Sequence, residues 1–130
     1  MTHPPCPIVA RHETPVFLVI GWDGPNSAAL RQRDLDGHLR HVEANWQAYL
    51  VAGPLREPGG EALVGSLFLV QADSDVALKS LMEKDPYFTN GQYERVEVQR
   101  FTASIGAWMG GKIWENADAV RHRAAGGPIE

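Results

Sequence analysis

Two residues in this chain of 130 amino acids have side chains suited to proton transfer, and they lie in segments that a fold can bring together. His38 stands in a helical pattern, and Asp85 stands directly before Pro86, where a helix must stop. An imidazole with an ordinary pKa of ~6.5 takes up and returns a proton near neutral pH. A carboxylate against its other nitrogen selects one tautomer and stabilises the imidazolium. We therefore predict that His38 and Asp85 meet in a small pocket and transfer protons there without a covalent intermediate.

Four further residues are candidates for substrate contact in this pocket. His41 lies three positions after His38, and Ser66 lies in a neighbouring strand without being clearly placed as a nucleophile. Trp46 and Tyr87 are aromatic residues that can line a pocket, although an aromatic side chain at core spacing more often packs in the core. We predict substrate contact for His41, Ser66, Tyr87 and Trp46.

Structural roles for the same residues stay open at this point. A lone histidine beside an apolar stripe is most often a partly buried structural residue, and Asp85 can simply cap a helix end or the turn that follows it. His38 and His41 are also spaced to share a metal ion with a carboxylate such as Asp34. Two histidines without a firm third ligand are weak evidence for a metal, so we expect neither a metal nor any other cofactor.

Composition excludes several classes of protein. The net charge of -4, with no basic stripe, argues against a protein that binds nucleic acid phosphates. The longest apolar runs, such as residues 67–70, are too short to span a bilayer, and the N-terminus lacks the pattern of a secretory signal. The one cysteine, Cys6, cannot form an internal disulfide. We therefore expect a cytoplasmic protein without a membrane or nucleic acid partner.

Apolar periodicity divides the chain into strands and helices. Gly37 interrupts the longest helical pattern at a cost of roughly 1 kcal/mol relative to alanine, which does not overturn that prediction. Ser74 and the acidic residues beside it predict the start of a second helix. The predicted elements are, in order, a strand at 16–22, a helix at 28–50, an extended segment at 51–56, a strand at 62–71, a helix from the cap at 73–75 to 85, and a strand at 92–101.

This order predicts an α+β fold of the ferredoxin-like βαββαβ type, a four-stranded antiparallel sheet with helices on one face. The strands at 16–22 and 62–71 are apolar on both faces, yet helices cover only one face of such a sheet. A homodimer whose two sheets pack face to face would bury the second face. We therefore expect a homodimer, possibly assembled into a higher oligomer.

Four short motifs resemble those of a known family when they are taken in order. They are His38-Leu39, Ala52-Gly53-Pro54-Leu55, Gly65 and Asp85-Pro86-Tyr87. Together they resemble the YCII-related family of the dimeric α+β barrel superfamily, over about residues 16 to 102. The resemblance implies the same fold, a face-to-face dimeric barrel, and His38 and Asp85 as the active-site pair.

The resemblance also identifies a departure from the family pattern and a class of reaction. The family tends to have an arginine three residues before the histidine, where this chain has Leu35, so Arg31, Arg33 and Arg40 are the candidates to replace it. Relatives in the superfamily isomerise lactones or eliminate halide from hydroxylated aromatic compounds. The resemblance thus implies a lyase or isomerase that acts on a small enolisable or aromatic compound.

Three segments and two functions follow from these patterns. We predict a flexible N-terminal arm at 1–15, the family domain at 16–102, and an extension at 103–130 that packs on the domain or a dimer partner and ends in flexible residues. The first function is a cofactor-free enzyme with a His38–Asp85 acid/base pair in a dimer-associated pocket. The alternative is a non-catalytic dimeric module that binds a small molecule or regulates a partner through the same cleft.

Overall fold

The structure is a computed structural model that describes residues 4–124. Two compact units divide the chain: Thr14–Phe101, and a second unit made from the segments on either side of it. The flexibility predicted for the arm at 1–15 and for the last residues stays a prediction, and residues 1–3 and 125–130 lie outside the described range. The elements, in order, are β1 Val16–Asp23, α1 Ser27–Ala44, a 3₁₀ turn Trp46–Ala48, β2 Tyr49–Arg56, β3 Leu63–Gln71, α2 Asp75–Met82, α3 Pro86–Thr89, β4 Tyr93–Phe101, β5 Ile105–Gly106, β6 Gly111–Lys112 and α4 Ala117–Ala124.

The larger unit contains a four-stranded antiparallel sheet in the order β2-β3-β1-β4. Val19 of β1 lies between Phe68 of β3 and Val98 of β4, so these side chains share one face of the sheet. That face carries the core, in which strand residues pack against α2. The core residues are Phe17, Val19, Phe68, Val70, Leu78 and Met82. The predicted α+β fold with a ferredoxin-like βαββαβ order is therefore confirmed.

The opposite face of the sheet is also apolar, as predicted. Leu18 pairs with Leu69 and Ile20 pairs with Leu67, in positions that alternate with the core residues. All four side chains are partly buried. Packing of this face against a second copy of the chain stays a prediction.

Two helix ends differ from the sequence prediction. The first helix ends at Ala44, not near residue 50. The side-chain amide of Asn45 donates to the carbonyl oxygen of His41 at 2.8 Å, which provides this carbonyl of the last turn with a hydrogen-bond donor. The following 3₁₀ turn leads into Tyr49, which begins β2. The second helix ends at Met82, and Asp85 caps the short helix that follows.

Gly37 lies where α1 packs against Pro86 at the start of α3. A Cβ added at this position would lie 3.1 Å from Cγ of Pro86, which is tighter than an ordinary van der Waals contact. The glycine that weakens α1 therefore allows the start of α3 to approach the helix. This approach sets the distance between the residue after Gly37 and the residue before Pro86, which are His38 and Asp85.

The second unit pairs the N-terminal segment with the C-terminal segment. The backbone N–H of Val9 donates to the carbonyl oxygen of Lys112 at 2.8 Å, and the N–H of Lys112 donates to that of Pro7 at 2.9 Å. The short strands β5 and β6 pair with each other beside this contact. The predicted packing of residues 103–130 against the domain or a partner stays a prediction. No helix between residues 4 and 124 is long and apolar enough to cross a membrane.

Candidate active site

His38 and Asp85 are in direct contact. Nδ1 of His38 lies 2.9 Å from both carboxylate oxygens of Asp85, whose side chain is fully buried. A carboxylate only accepts hydrogen bonds, so Nδ1 carries the proton and donates a hydrogen bond to Asp85. The other ring nitrogen, Nε2, forms no hydrogen bond with any residue that the structure describes. The geometry therefore leaves a lone pair on Nε2 of a histidine whose tautomer is fixed.

Asp85 also has the capping role that was considered from the sequence. Its Oδ1 accepts the backbone N–H of Tyr87 at 3.0 Å, with Pro86 at the first position of α3. The backbone of the cap thus holds the carboxylate in place for His38. The structural and functional interpretations of Asp85 are compatible, because one carboxylate makes both contacts.

Tyr87 contacts both His38 and the backbone of Arg31. Its ring stacks on the His38 imidazole with a centroid distance of 3.8 Å and an interplanar angle of 6°. Its hydroxyl donates to the carbonyl oxygen of Arg31 at 3.3 Å. Burial raises the pKa of the Tyr87 hydroxyl, which is therefore neutral at physiological pH. Tyr87 restricts the imidazole to one plane.

A cavity of about 520 Å³ opens between α1 and the strands β2 and β3. Its polar lining includes His38, Ser66 and Tyr87, which were predicted from the sequence, and Trp46 contributes an indole that is 67% exposed. The remaining wall is mostly apolar. Its apolar residues include Leu35, Leu39, Val42, Leu63 and Phe68. Such a cavity suits a small ring compound that a few polar groups orient.

Three arginines were considered as replacements for the family arginine, and of these Arg31 lines the cavity. Its Nη2 donates to Asp23 at 3.1 Å, to the carbonyl oxygen of Gly65 at 3.1 Å and to Oγ of Ser66 at 3.3 Å. The guanidinium carbon lies 5.6 Å from the centroid of the Tyr87 ring. Its Nε is buried without a hydrogen-bond partner in the described part of the chain. Arg31 thus places a rigid positive charge beside the stacked Tyr87.

The other two arginines lie outside the cavity. Arg33 is exposed and pairs with the neighbouring Asp34 at 3.0 Å. The hydrogen bond from Arg33 lowers the pKa of the Asp34 carboxyl. Arg40 is exposed on the surface of α1. Arg31 precedes His38 by seven residues, which is close to two helical turns, so both side chains lie on one face of α1.

Ser66 supports Arg31, and its hydroxyl bonds with Arg31 and Tyr93 rather than with His38 in the described part of the chain. Its hydroxyl oxygen accepts the Tyr93 hydroxyl at 2.9 Å in addition to the Arg31 guanidinium. The Tyr93 ring occupies space beside Gly21, where an added Cβ would lie 2.6 Å from ring atoms. Burial raises the pKa of Tyr93, so its hydroxyl remains a donor. Tyr93 was missed in the sequence analysis. The available signal was Gly21 on the adjacent strand, which leaves room for a large ring.

His41 is not among the residues that line the cavity, and its contact with a substrate stays a prediction. Its Nε2 instead lies 3.0 Å from the hydroxyl of Tyr49, and Tyr49 lines the cavity. His41 follows His38 by three residues, but the start of β2 covers its ring. Burial lowers the pKa of His41, which favours its neutral form.

The lowered pKa of the partly buried His41 predicts a dependence of stability on pH. The unfolded chain titrates at the ordinary pKa of 6.5, above the folded value, so it binds the proton first as the pH falls. The stability that neutral His41 supplies is present above that pKa and is lost as the pH falls through the lower folded value. We expect His41→Gln to lose less free energy of unfolding than wild type between about pH 7.5 and about pH 5, measured by urea denaturation. An equal loss in both proteins would contradict this assignment.

The shared metal site that was considered for His38, His41 and Asp34 has no counterpart in the geometry. Residues 4–124 contain no group of three or more His, Cys, Asp or Glu side chains placed to hold a metal ion. The two histidine rings have separate partners, Asp85 and Tyr49.

Comparison with known proteins gives a family and a similar solved structure. A model of the YCII-related domain matches residues 16–102. No curated protein matches the chain. Among solved structures, the chain is similar to 5-chloro-2-hydroxyhydroquinone dehydrochlorinase from Burkholderia phenoliruptrix AC1100, in complex with 2,5-dihydroxybenzoquinone. The identity is 26% and the TM-score is 0.62, over 71% of this chain and 96% of that one.

Proposed function

Since this chain belongs to the YCII-related family, we propose that it is a small-molecule enzyme that transfers protons in an elimination or isomerisation. The observation that carries the proposal is the contact of His38 Nδ1 with the buried Asp85 carboxylate at 2.9 Å. The contact leaves Nε2 as a base in an apolar cavity. In the proposal, Asp85 orients the imidazole and stabilises the imidazolium that forms.

The proposed reaction needs only protons that the substrate itself supplies. For a halogenated polyhydroxybenzene, Nε2 of His38 takes a proton from a ring hydroxyl and returns it to the carbon that bears the halogen. Nε2 then takes a proton from a second, conjugated hydroxyl, while the halide leaves with the electron pair of its bond. The products are a quinone and hydrogen halide, and no external oxidant is required. The first half alone is a keto-enol isomerisation.

Negative charge develops on the substrate oxygens in both halves of this reaction. The Arg31 guanidinium lines the same cavity and is held in place by Asp23, Ser66 and Gly65. A fixed cation at a developing oxyanion stabilises the transition state more than the ground state. We assign this role to Arg31, which lies on the same face of α1 as His38.

The substrate class is supported by the cavity and by the similar dehydrochlorinase, which binds a dihydroxybenzoquinone. The direct test is anaerobic incubation of the wild-type protein with chlorinated hydroxyhydroquinones, with chloride release and quinone absorbance followed against a protein-free control. Deuterium incorporation at ring carbons in D₂O reports the first half of the reaction. Tight binding of these compounds with neither chloride release nor deuterium exchange would favour the non-catalytic binding module instead.

Removal of the Arg31 charge should slow the reaction strongly. We expect Arg31→Met to lower kcat/KM by about 100-fold, the size typical for loss of one oxyanion donor. Thermal unfolding checks that the variant is folded, since Asp23 loses its ion pair. Arg33→Met is the matched control, because Arg33 lies on the same helix but is exposed, and it should retain wild-type kcat/KM. A folded Arg31→Met variant within about twofold of wild type would refute the role.

A further inference from the structure

A second polar pair lies at the cavity that contains His38. Tyr49 lines this cavity with its ring against Phe68, at a centroid distance of 6.0 Å. Its hydroxyl lies 3.0 Å from Nε2 of His41, which is outside the cavity. The His38–Asp85 chemistry does not use this pair. A tyrosine hydroxyl that a histidine holds beside a ligand cavity is available as a hydrogen-bonding group.

The neighbours of His41 determine the direction of this hydrogen bond. The side-chain amide nitrogen of Asn45 lies 3.5 Å from Nδ1 of His41 and 2.8 Å from its carbonyl oxygen. An amide nitrogen only donates, so this contact favours the tautomer in which Nδ1 is the acceptor and Nε2 carries the proton. The Nε2–H group then donates to the oxygen of Tyr49. The hydroxyl proton of Tyr49 is therefore left for a group in the cavity.

Tyr49 and Arg31 are anchored at different points along β3. Arg31 donates to Gly65 and Ser66 in β3, whereas Tyr49 pairs with Val70 of the same strand. Ser66 and Val70 are four residues apart, about 13 Å along a strand. Tyr49 and Arg31 are thus anchored at separate points along β3, and we expect them to contact different parts of a ligand.

We propose that Tyr49 donates a hydrogen bond to the ligand, and that the cavity selects planar rings with oxygen substituents on opposite edges. Arg31 holds one oxygen and Tyr49 holds the other. His41 is a positioning residue that turns the Tyr49 hydroxyl proton toward the ligand. The inference rests on the proposed function for the general site but names the substrate feature that the site recognises.

Equilibrium binding of 2,5-dihydroxybenzoquinone tests the proposal without requiring turnover. Tyr49→Phe keeps the ring that packs on Phe68, and we expect it to raise Kd by about tenfold, the effect of one lost hydrogen bond. His41→Leu should raise Kd to a similar extent. His41→Gln should restore much of the affinity, because its amide can donate to Tyr49 over a comparable reach.

A double-mutant cycle separates positioning from general structural damage. His41→Leu should have little further effect on Kd in the Tyr49→Phe background, because His41 acts on the ligand only through the Tyr49 hydroxyl. Additive effects, or a Tyr49→Phe variant with wild-type Kd, would overturn the inference. Failure of the wild type to bind the quinone would also overturn it. The proposed proton transfer is judged separately, because His38→Gln should retain quinone binding and lose turnover.

Discussion

Asp85→Asn is expected to lower kcat/KM by about 100-fold or more, with a fold that stays intact. Asparagine can still accept the backbone N–H of Tyr87 through its side-chain oxygen, so the cap of α3 is kept. Its amide nitrogen then faces Nδ1 of His38 and donates a hydrogen bond. Nδ1 must become the acceptor, and the ring proton moves to Nε2. The variant therefore has an imidazole of nearly unchanged position that cannot accept a proton from substrate.

Nitrogen-15 NMR of the histidine rings checks the tautomer directly, and chloride release or deuterium exchange checks the rate. His38→Gln should lose activity to the same degree, and the double variant should lose no more than either single one, because the residues act as a unit. His122→Gln replaces an exposed histidine in α4 and should have no effect on the rate. An Asp85→Asn protein with wild-type activity would refute the assignment of the pair.

Gly65→Ala is expected to have the largest effect on stability, a loss of about 3 kcal/mol at the upper end of the range for overpacking. A Cβ at this position would lie 2.3 Å from the carbonyl oxygen of Gly21 and 3.4 Å from Cα of Trp22. Both atoms belong to the backbone of β1, which pairs with β3 on one side and β4 on the other. Relief of the clash would require separation of two paired central strands.

Gly53→Ala is the matched control for this substitution. Gly53 lies in the neighbouring strand β2, and an added Cβ there meets no atom within 4 Å. Its free energy of unfolding, measured by urea denaturation, should stay within about 0.5 kcal/mol of wild type. If Gly65→Ala were as stable as Gly53→Ala, the close approach of β1 and β3 would not constrain the sheet. The carbonyl of Gly65 also accepts from Arg31, so a folded Gly65→Ala variant should bind the quinone weakly.

The fold was predictable because its signals are local. Alternating or continuous apolar runs marked β1 and β3, and their order with the helices defined the α+β class; the comparisons confirm the family resemblance. The end of α1 was not predictable from periodicity, since the apolar pattern continues through Trp46 and Leu50. The Asn45 side chain, which binds the last turn of the helix, ends it.

The contact between His38 and Asp85 could be predicted from the sequence, whereas the contacts that depend on tertiary geometry could not. The sequence analysis brought His38 and Asp85 together as an expectation, and the two side chains are in contact in the structure. It left three arginines open, because only the tertiary positions of Asp23 and Ser66 distinguish Arg31 from the others. It did not anticipate the contact of His41 with Tyr49, because spacing on a helix does not reveal which residues the next strand brings against it.

The close packing of Pro86 against Gly37 has a consequence for any attempt to engineer this protein. Alanine at position 37 would improve the helix propensity of α1 by roughly 1 kcal/mol, so a design guided by stability alone would choose it. The added methyl group would press on Pro86, whose neighbour Asp85 is the partner of His38. Helix stability and the spacing of the pair thus make opposite demands on one residue. Gly37 therefore lowers the stability of α1 and keeps the close approach that places Asp85 against His38.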